Sequence, residues 1–400
     1  MPPPQHLLLL HQPDSASPVI LPNELKAEII SWLPVKLLMK FRCLNKFFKT
    51  LISDPHFVQM HLKKSSRNLN LALMWQRNYG DTYFVSLSIS RLLENHITID
   101  PNPYHLLKEN YHKWCMVGSC NGLIYLIDTH CIDHYYWLCF WNPATRTRSK
   151  RISTSLRNDF KFAFGYDNST ETYKTVAFRV DLEGGNAKSE VKVFTLGNKY
   201  PIDIQCFPVI PLYWFHRGKN NGVYLSGTIN WLALSNYFFS NYDFGNHSMI
   251  TVEQYVIVSL DLSTESYSQL LLPRGFDKVP CVQPMIVVLM DSVCFGHDFK
   301  RTHFVIWQMK DFGVQESWIQ LFKISYQNIH SSDHLLKFKR MQFLPLYLSE
   351  NMDTLILAND ENDIAFIYNC KDGRVERIRI PDKIWWFLAK DYVESLVATR

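Results

Sequence analysis

Two clusters in this chain carry residue types that could do chemistry. His130, Cys131, His134 and Cys139 crowd one hairpin, with Cys115 and Cys120 just upstream. Imidazoles and thiolates hold zinc when four of them converge tetrahedrally, usually from a tight knuckle. No Cys-x-x-Cys occurs here, and alternation along a strand would send neighbouring side chains to opposite faces. Gly118-Ser119-Cys120-Asn121-Gly122 has the outline of a nucleophile elbow with Cys in place of Ser. That elbow needs a strand entering and a helix leaving. Leu123 to Ile127 read as a second strand instead, so Asn121-Gly122 is expected to be a tight hairpin turn. Glycine-rich phosphate loops are absent. Acidic residues such as Asp360, Glu361 and Asp363 gather in a turn, where solvated loop is the simpler reading. The tryptophans of INWLAL, VIWQ, ESWIQ and KIWWF recur at equivalent strand positions and read as core. These residues therefore assign no catalytic group, metal or cofactor, and the chain is expected not to be an enzyme.

The elements around them point to binding. The chain has 400 residues, 47% hydrophobic and 20% charged, enough for a large soluble core. Aromatics at 14% favour strands. Nine cysteines without regular spacing suit a reducing compartment, the cytoplasm or nucleus. No apolar run is long enough to span a membrane. Leu7 to Leu10 are too few for a signal sequence, and residues 1–17 are expected to be a disordered tail.

Residues 18–64 read as a run of short helices. Pro22 suits a first helical position, and Glu24 and Glu28 sit toward the positive end of that helix dipole. Leu25, Ile29 and Leu33 recur every four residues, widened by Ile30. Pro34 stops this helix. A second helix carries Leu37, Leu38, Phe41 and Leu44, a third Phe47, Phe48, Leu51 and Ile52, and a last one Phe57 and Met60. So short a stretch buries only a modest core, yet its apolar side chains point to more than one face. Either a partner protein covers one face or the helices cap the rest of the chain. Charge is also concentrated here. Residues 20–64 hold eight Lys or Arg against three Asp or Glu, a net +5, while the remainder balances at 34 against 34. An acidic partner would be steered to such a surface. Nucleic acid is the rival reading of basic helices, but no recognition-helix pattern appears.

The stretch closely resembles an F-box, the adaptor motif that docks on Skp1 in ubiquitin ligases. The matching residues are Leu21-Pro22, Leu25, Glu28-Ile29, Leu33-Pro34-Val35, Leu38, Phe41-Arg42-Cys43, Lys46, Leu51-Ile52, Pro55 and Phe57. Phe48 stands where Trp is usual in plants, Asn45 where Ser is usual and Leu37 where a small polar residue is common. The resemblance implies docking on a Skp1-like adaptor, and through it on cullin and RING subunits. Leu21, Pro22, Leu25, Ile29, Leu33, Pro34, Leu38, Phe41 and Phe48 would form the apolar centre, with Lys36, Lys40 and Lys46 at its rim.

From about Asn68 the pattern changes to strands. A unit of apolar strand, polar turn and second strand recurs in CFWNPATRTRSKRI, VKVFTLGNKY, VSLDLSTESYSQLLL, FVIWQMKDFGVQESWIQLFKI and FIYNCKDGRVERIRI. Between Trp141, Val193, Ser259, Ile306 and Ile367 the steps are 52, 66, 47 and 61 residues. Such steps suit four-stranded propeller blades, and with the strands at 69–90 they make about six. A two-sheet sandwich is the alternative. SCNGL, WNPATR, FGYD, INWLAL, VSLDLSTESYSQLLLP and VIWQMKDFGVQESWIQLFKI resemble the F-box-associated domain of plant F-box and F-box/kelch-type proteins, although glycine is scarce for true kelch repeats. The fold expected is mainly β with a small N-terminal α domain. Its parts are a tail (1–17), a helical F-box (18–64), a linker with first strands (65–114), a kelch-like propeller of about six blades (115–388) and a C-terminal tail (389–400).

A target would bind on long loops at one rim. Tyr213, Trp214, Phe215, Tyr237, Phe238, Phe239 and Tyr242 are the candidates, since exposed aromatics favour interfaces; folding back onto the ring explains them equally well. The function expected is a substrate-recognition subunit that holds a protein or glycoprotein target, with neither nucleic acid nor membrane as partner. The competing expectation is a propeller enzyme or glycan-binding lectin with a structural helical cap.

Overall fold

The computed structural model describes residues 21–77, 81–94, 104–105, 114–128, 136–154, 156, 160–181, 188–198, 200–212, 222–235, 250–330, 342–360, 364–380 and 383–399. Four short helices lead into six sheets, each a blade of a propeller. Strands are given from the axis outward. Blade 2 has Trp114–Cys120, Leu123–Asp128, Trp137–Asn142 and Thr147–Arg148, with Ile152–Ser153 also on the third strand. Blade 3 has Lys161–Asp167, Thr172–Asp181, Lys188–Thr195 and Ile202–Asp203, and blade 4 has Val223–Leu225, Thr228–Leu234, Tyr255–Asp261 and Tyr267–Leu271. Blade 5 has Met285–Leu289, Ser292–Phe299, His303–Met309 and Trp318–Ser325, and blade 6 has Phe343–Leu348, Thr354–Asn359, Ile364–Asn369 and Val375–Arg377. The five repeated units fall one to a blade in these five.

Blade 1 is assembled from both ends of the chain. Its outer strands are Asn70–Arg77, Asp81–Ser88 and Tyr104–His105, and its inner strand is Lys390–Tyr392, paired as Asn70 with Tyr392, Leu71 with Asp391 and Ala72 with Lys390. This corrects the expectation of a C-terminal tail from residue 389. Three residues there close the ring, and the segment beyond them is built in. The buried Asn142 donates from Nδ2 to the carbonyls of Ser395 (3.0 Å) and Val397 (2.8 Å). The linker is shorter than expected too, because the last of the leading helices ends at Ser65 and blade 1 begins at Asn70.

Blade-to-blade packing explains why the middle strands are so apolar. A strand's side chains alternate between its two faces. In Thr228–Leu234, Ile229, Trp231 and Ala233 enter the core shared with blade 3, while Leu232 and Leu234 enter the core shared with blade 5. In Thr354–Asn359, Leu355 and Leu357 face blade 5, while Ile356 and Ala358 face blade 1. Six such cores join the six neighbouring pairs of blades, including blade 6 to blade 1 and blade 1 to blade 2. Both faces are buried, so INWLAL is an unbroken run rather than an alternating one.

The turns repeat one device. Asn142, Asp167, Asp261 and Asn369 each end a strand and accept backbone N–H groups two and three residues on. Four residues after each comes a residue with positive φ: Arg146, Glu171, Glu265 and Gly373. The Asx side chain holds the turn while the left-handed residue re-aims the chain into the next strand. Asn121 (φ 50°) and Gly122 (φ 78°) form the expected tight turn between two strands. A Cβ at Gly122 would lie 2.6 Å from the Val393 carbonyl, so that turn also admits the C-terminal segment.

Two buried histidines make the fold sensitive to acid. In blade 5 the Trp307 indole donates to His297 Nε2 (3.2 Å), which places the imidazole proton on Nδ1, facing the Asp298 carbonyl (3.0 Å). Between the helices, His61 Nε2 lies 3.0 Å from the Leu33 carbonyl. Burial lowers both pKa values from their ordinary 6.5, against the raising effect of those carbonyls. A depressed folded pKa means that the unfolded chain takes up protons first. Stability from these groups is complete above about pH 6.5 and falls as the pH drops through that value toward the folded pKa. Melting temperature is expected to fall between pH 7.5 and pH 5.5, and His297→Gln should flatten the decline. A profile unchanged by His297→Gln counts against its part in it.

Candidate adaptor-docking surface

The leading helices are α1 (Asn23–Ile30), α2 (Val35–Phe41), α3 (Lys46–Ser53) and α4 (Pro55–Ser65). Pro22 and Pro34 stand immediately before α1 and α2 with extended backbone (ψ 149° and 147°), where a missing N–H costs nothing. Asn45 and Asp54 cap α3 and α4 by accepting from the Phe48 and Phe57 N–H groups (3.0 and 3.1 Å). Ile30, Leu38, Ile52 and Phe57 make a small core, edged by Leu33, Phe41, Phe48 and Met60. Lys64 ties α4 to α1 through the Glu28 carboxylate (2.6 Å) and the Ser31 hydroxyl (2.6 Å), and lies over the Trp32 ring.

With that core filled, the rest of the apolar surface faces out. Eighteen large hydrophobic side chains are exposed among the described residues, and seven of them fall between residues 21 and 47: Leu21, Leu25, Ile29, Trp32, Leu37, Leu44 and Phe47. Leu25 and Ile29 are 52% and 59% exposed. Lys36, Lys40 and Lys46 are exposed beside them. A concentration of this kind on a folded unit marks a surface that another molecule covers.

The nine residues singled out from sequence therefore divide. Leu21, Pro22, Leu25, Ile29 and Pro34 are exposed, and Leu33, Phe41 and Phe48 are half-buried at the edge of the core. Leu38 is fully buried and is core, not contact surface. The stripe along α1 splits because Ile30, one residue from Ile29, is the side chain that turns inward. Trp32, Leu37, Leu44 and Phe47 were missed as surface residues. Trp32 lies three residues beyond Ile29 and continues its row, a signal that helical spacing offered.

The helices are seated on the ring. Val58 and Leu62 of α4 pack against the core between blades 2 and 3, and Leu396 packs against the helical core. The C-terminal segment thus touches both parts and fixes the docking surface relative to the propeller.

Residues 20–60 match the F-box domain family, and residues 72–399 match the F-box associated beta propeller domain family. The chain is an F-box protein of the F-box-associated propeller family. It is similar to an F-box/kelch-repeat protein of Arabidopsis thaliana, 26% identical over 90% of this chain and 90% of that one. It is likewise similar to the F-box protein CPR1 of Arabidopsis thaliana, 24% identical over 94% of this chain and 88% of the relative. Among solved structures, one from a nidogen/laminin complex aligns with a TM-score of 0.41 at 8% identity, covering 82% of this chain and 99% of that chain.

The other candidates of this F-box protein fare differently. Tyr213, Trp214, Phe215, Tyr237, Phe238, Phe239 and Tyr242 lie outside the described residues, as do His130, Cys131, His134, Glu361 and Asp363. Cys139 is buried, lies within 3.5 Å of the Phe140 carbonyl, and burial pushes its thiol up to about 11. Burial raises the Cys120 thiol further still, so it stays protonated. Trp231 and Trp318 are core, as their strand positions implied.

Proposed function

We propose that this F-box protein is the substrate-receptor subunit of a Skp1-cullin-F-box ubiquitin ligase, with no bond chemistry of its own. The observation that supports this reading most is the exposed apolar row Leu25–Ile29–Trp32, flanked by lysines and mounted on a ring. An acidic Skp1-type adaptor would bury the row and bring cullin and RING subunits with it. The propeller would hold a protein target nearby, and the rate gain would be effective concentration. Because α4 and the C-terminal segment seat the helices on the ring, target and adaptor would be held at a set separation rather than on a flexible tether. Such an assembly would work in the cytoplasm or nucleus.

The test is co-purification of the full chain with a Skp1-type adaptor. Leu25→Asp with Ile29→Asp should abolish capture while leaving the circular dichroism and melting temperature in place, since both side chains are already exposed. Burying each is worth about 1.5–3 kcal/mol, so their joint loss lowers affinity at least about a hundredfold. Undiminished capture by the double variant overturns the docking assignment.

A further inference from the structure

We propose that the central cavity of the propeller binds a small zwitterion of the free amino-acid class, held between Lys390 and Asp391. This goes beyond adaptor docking and does not depend on it. The cavity has a volume of about 200 Å³, and the inner strands of all six blades wall it, for example through Ser119, Phe164, Tyr224, Val288, Leu346 and Asp391. Lys390 lines it too. Both charged residues belong to the strand that closes the ring, the innermost of its blade, yet Lys390 is only half-buried and Asp391 is exposed. The open space beside that strand is the cavity. Among the described residues neither side chain forms an ion pair, with the other or with a third group. Neighbouring side chains on a strand point to opposite faces, which holds the ammonium and the carboxylate apart.

The two charges set the occupant's chemistry. A charge inside a protein is costly unless it is paired. Burial lowers the Lys390 pKa, against the raising effects of Asp391 and Cys115. Burial likewise raises the Asp391 pKa, against the lowering effects of Lys390 and of its own backbone amide. Both charged forms therefore gain from a counter-charge brought into the cavity. An anion alone would serve Lys390 and leave Asp391, and a cation alone would do the reverse. One molecule with a carboxylate and an ammonium a carbon apart serves both and adds no net charge. Its ammonium belongs at Asp391, where Asp291 adds further negative charge, and its carboxylate at Lys390. Charge-assisted hydrogen bonds of this kind are the strong ones. The space far exceeds the roughly 10–15 Å³ that one water needs, and Val288, Leu344 and Leu346 on its wall would meet a small apolar side chain.

The probes are glycine, alanine, serine and valine, measured by equilibrium dialysis against the full chain. At least one should bind saturably. The matching acid without the ammonium and the matching amine without the carboxylate, propionate and ethylamine for alanine, should each bind at least about tenfold more weakly. Both are smaller than the parent, so size does not exclude them. Asp391→Asn should weaken the amino acid and narrow its lead over the acid, and Lys390→Met should narrow its lead over the amine. A purely structural role would lower all three ligands together. If neither variant folds, the acid and the amine decide the matter on the native chain. The proposal is overturned if none of the four amino acids binds at tens of millimolar, if the acid and the amine bind as well as the parent, or if binding and selectivity survive both substitutions.

Discussion

A chain ending at Ala389 is expected to be recovered as an aggregated or non-cooperatively melting species. The truncation removes the inner strand of blade 1 and exposes the pairing edge of Asn70–Ala72. It takes Tyr392, 1% exposed, out of the core between blades 1 and 2, where its ring lies 6.5 Å from that of Phe84. Val397 leaves the core between blades 2 and 3, and Leu396 leaves the helical core. Asn142 Nδ2 loses both of its carbonyl acceptors. Large-to-small changes at buried sites cost about 2–5 kcal/mol each, against a total stability of about 5–15 kcal/mol for a domain. Three such losses plus an open ring exceed what the fold can absorb. Gel filtration and a thermal melt check this, and a truncated chain that melts cooperatively at the full-length temperature would show that Lys390–Tyr392 does not hold the ring shut.

Lys174→Met is expected to destabilise the propeller by about 3–5 kcal/mol, because it leaves a buried carboxylate without its counter-charge. Asp167 is fully buried, and Lys174 Nζ lies 3.1 Å from its Oδ2. The same ammonium donates to the Leu262 carbonyl (2.6 Å) and to Glu265 (3.0 Å), so one side chain clasps the first hairpin of blade 3 to a turn of blade 4. Burial alone would raise the Asp167 pKa. The Ser169 and Thr170 hydroxyls, the Ser169 N–H and Lys174 outweigh it and hold the carboxyl well below the usual carboxylate range. Since the folded pKa is depressed, this stabilisation is present above the unfolded value of about 3.9 and is lost as the pH falls through the folded one. Asp167→Asn in the Lys174→Met background should recover part of the loss, because the neutral amide keeps an oxygen for Ser169 and has no charge to strand. Urea melts of the four species, read as a double-mutant cycle, measure the coupling. Additive losses mean that the pair does not act as a unit.

Residue spacing was enough to recognise the helical segment and the blades. Pro22 and Pro34 punctuate the helices, the caps at Asn45 and Asp54 are local, and the strand-turn-strand units are each completed by local pairing. Even the turn device was legible in part: the Asn or Asp, Ser and Thr residues are visible in WNPATR, YDNSTE and LDLSTE. The left-handed residue four places on was not, because Arg146, Glu171 and Glu265 are types that carry no such preference.

What spacing could not decide was which way an apolar side chain faces, and what meets what across the ring. Leu25, Ile29 and Leu38 are equally apolar, and α1 and α2 are each too short to bury more than one side of themselves. Only the packing of Ile30, Leu38, Ile52 and Phe57 against one another turns Leu38 in and leaves Leu25 and Ile29 out. Blade 1 joins residues more than three hundred positions apart, so no local pattern in Lys390-Asp391-Tyr392 announces a strand. That identity comes from Asn70–Ala72, whose open edge waits for a partner until the last blade is in place. The central cavity has the same origin. Its walls come from all six blades, and closure of the ring around one axis is what brings them to a common space.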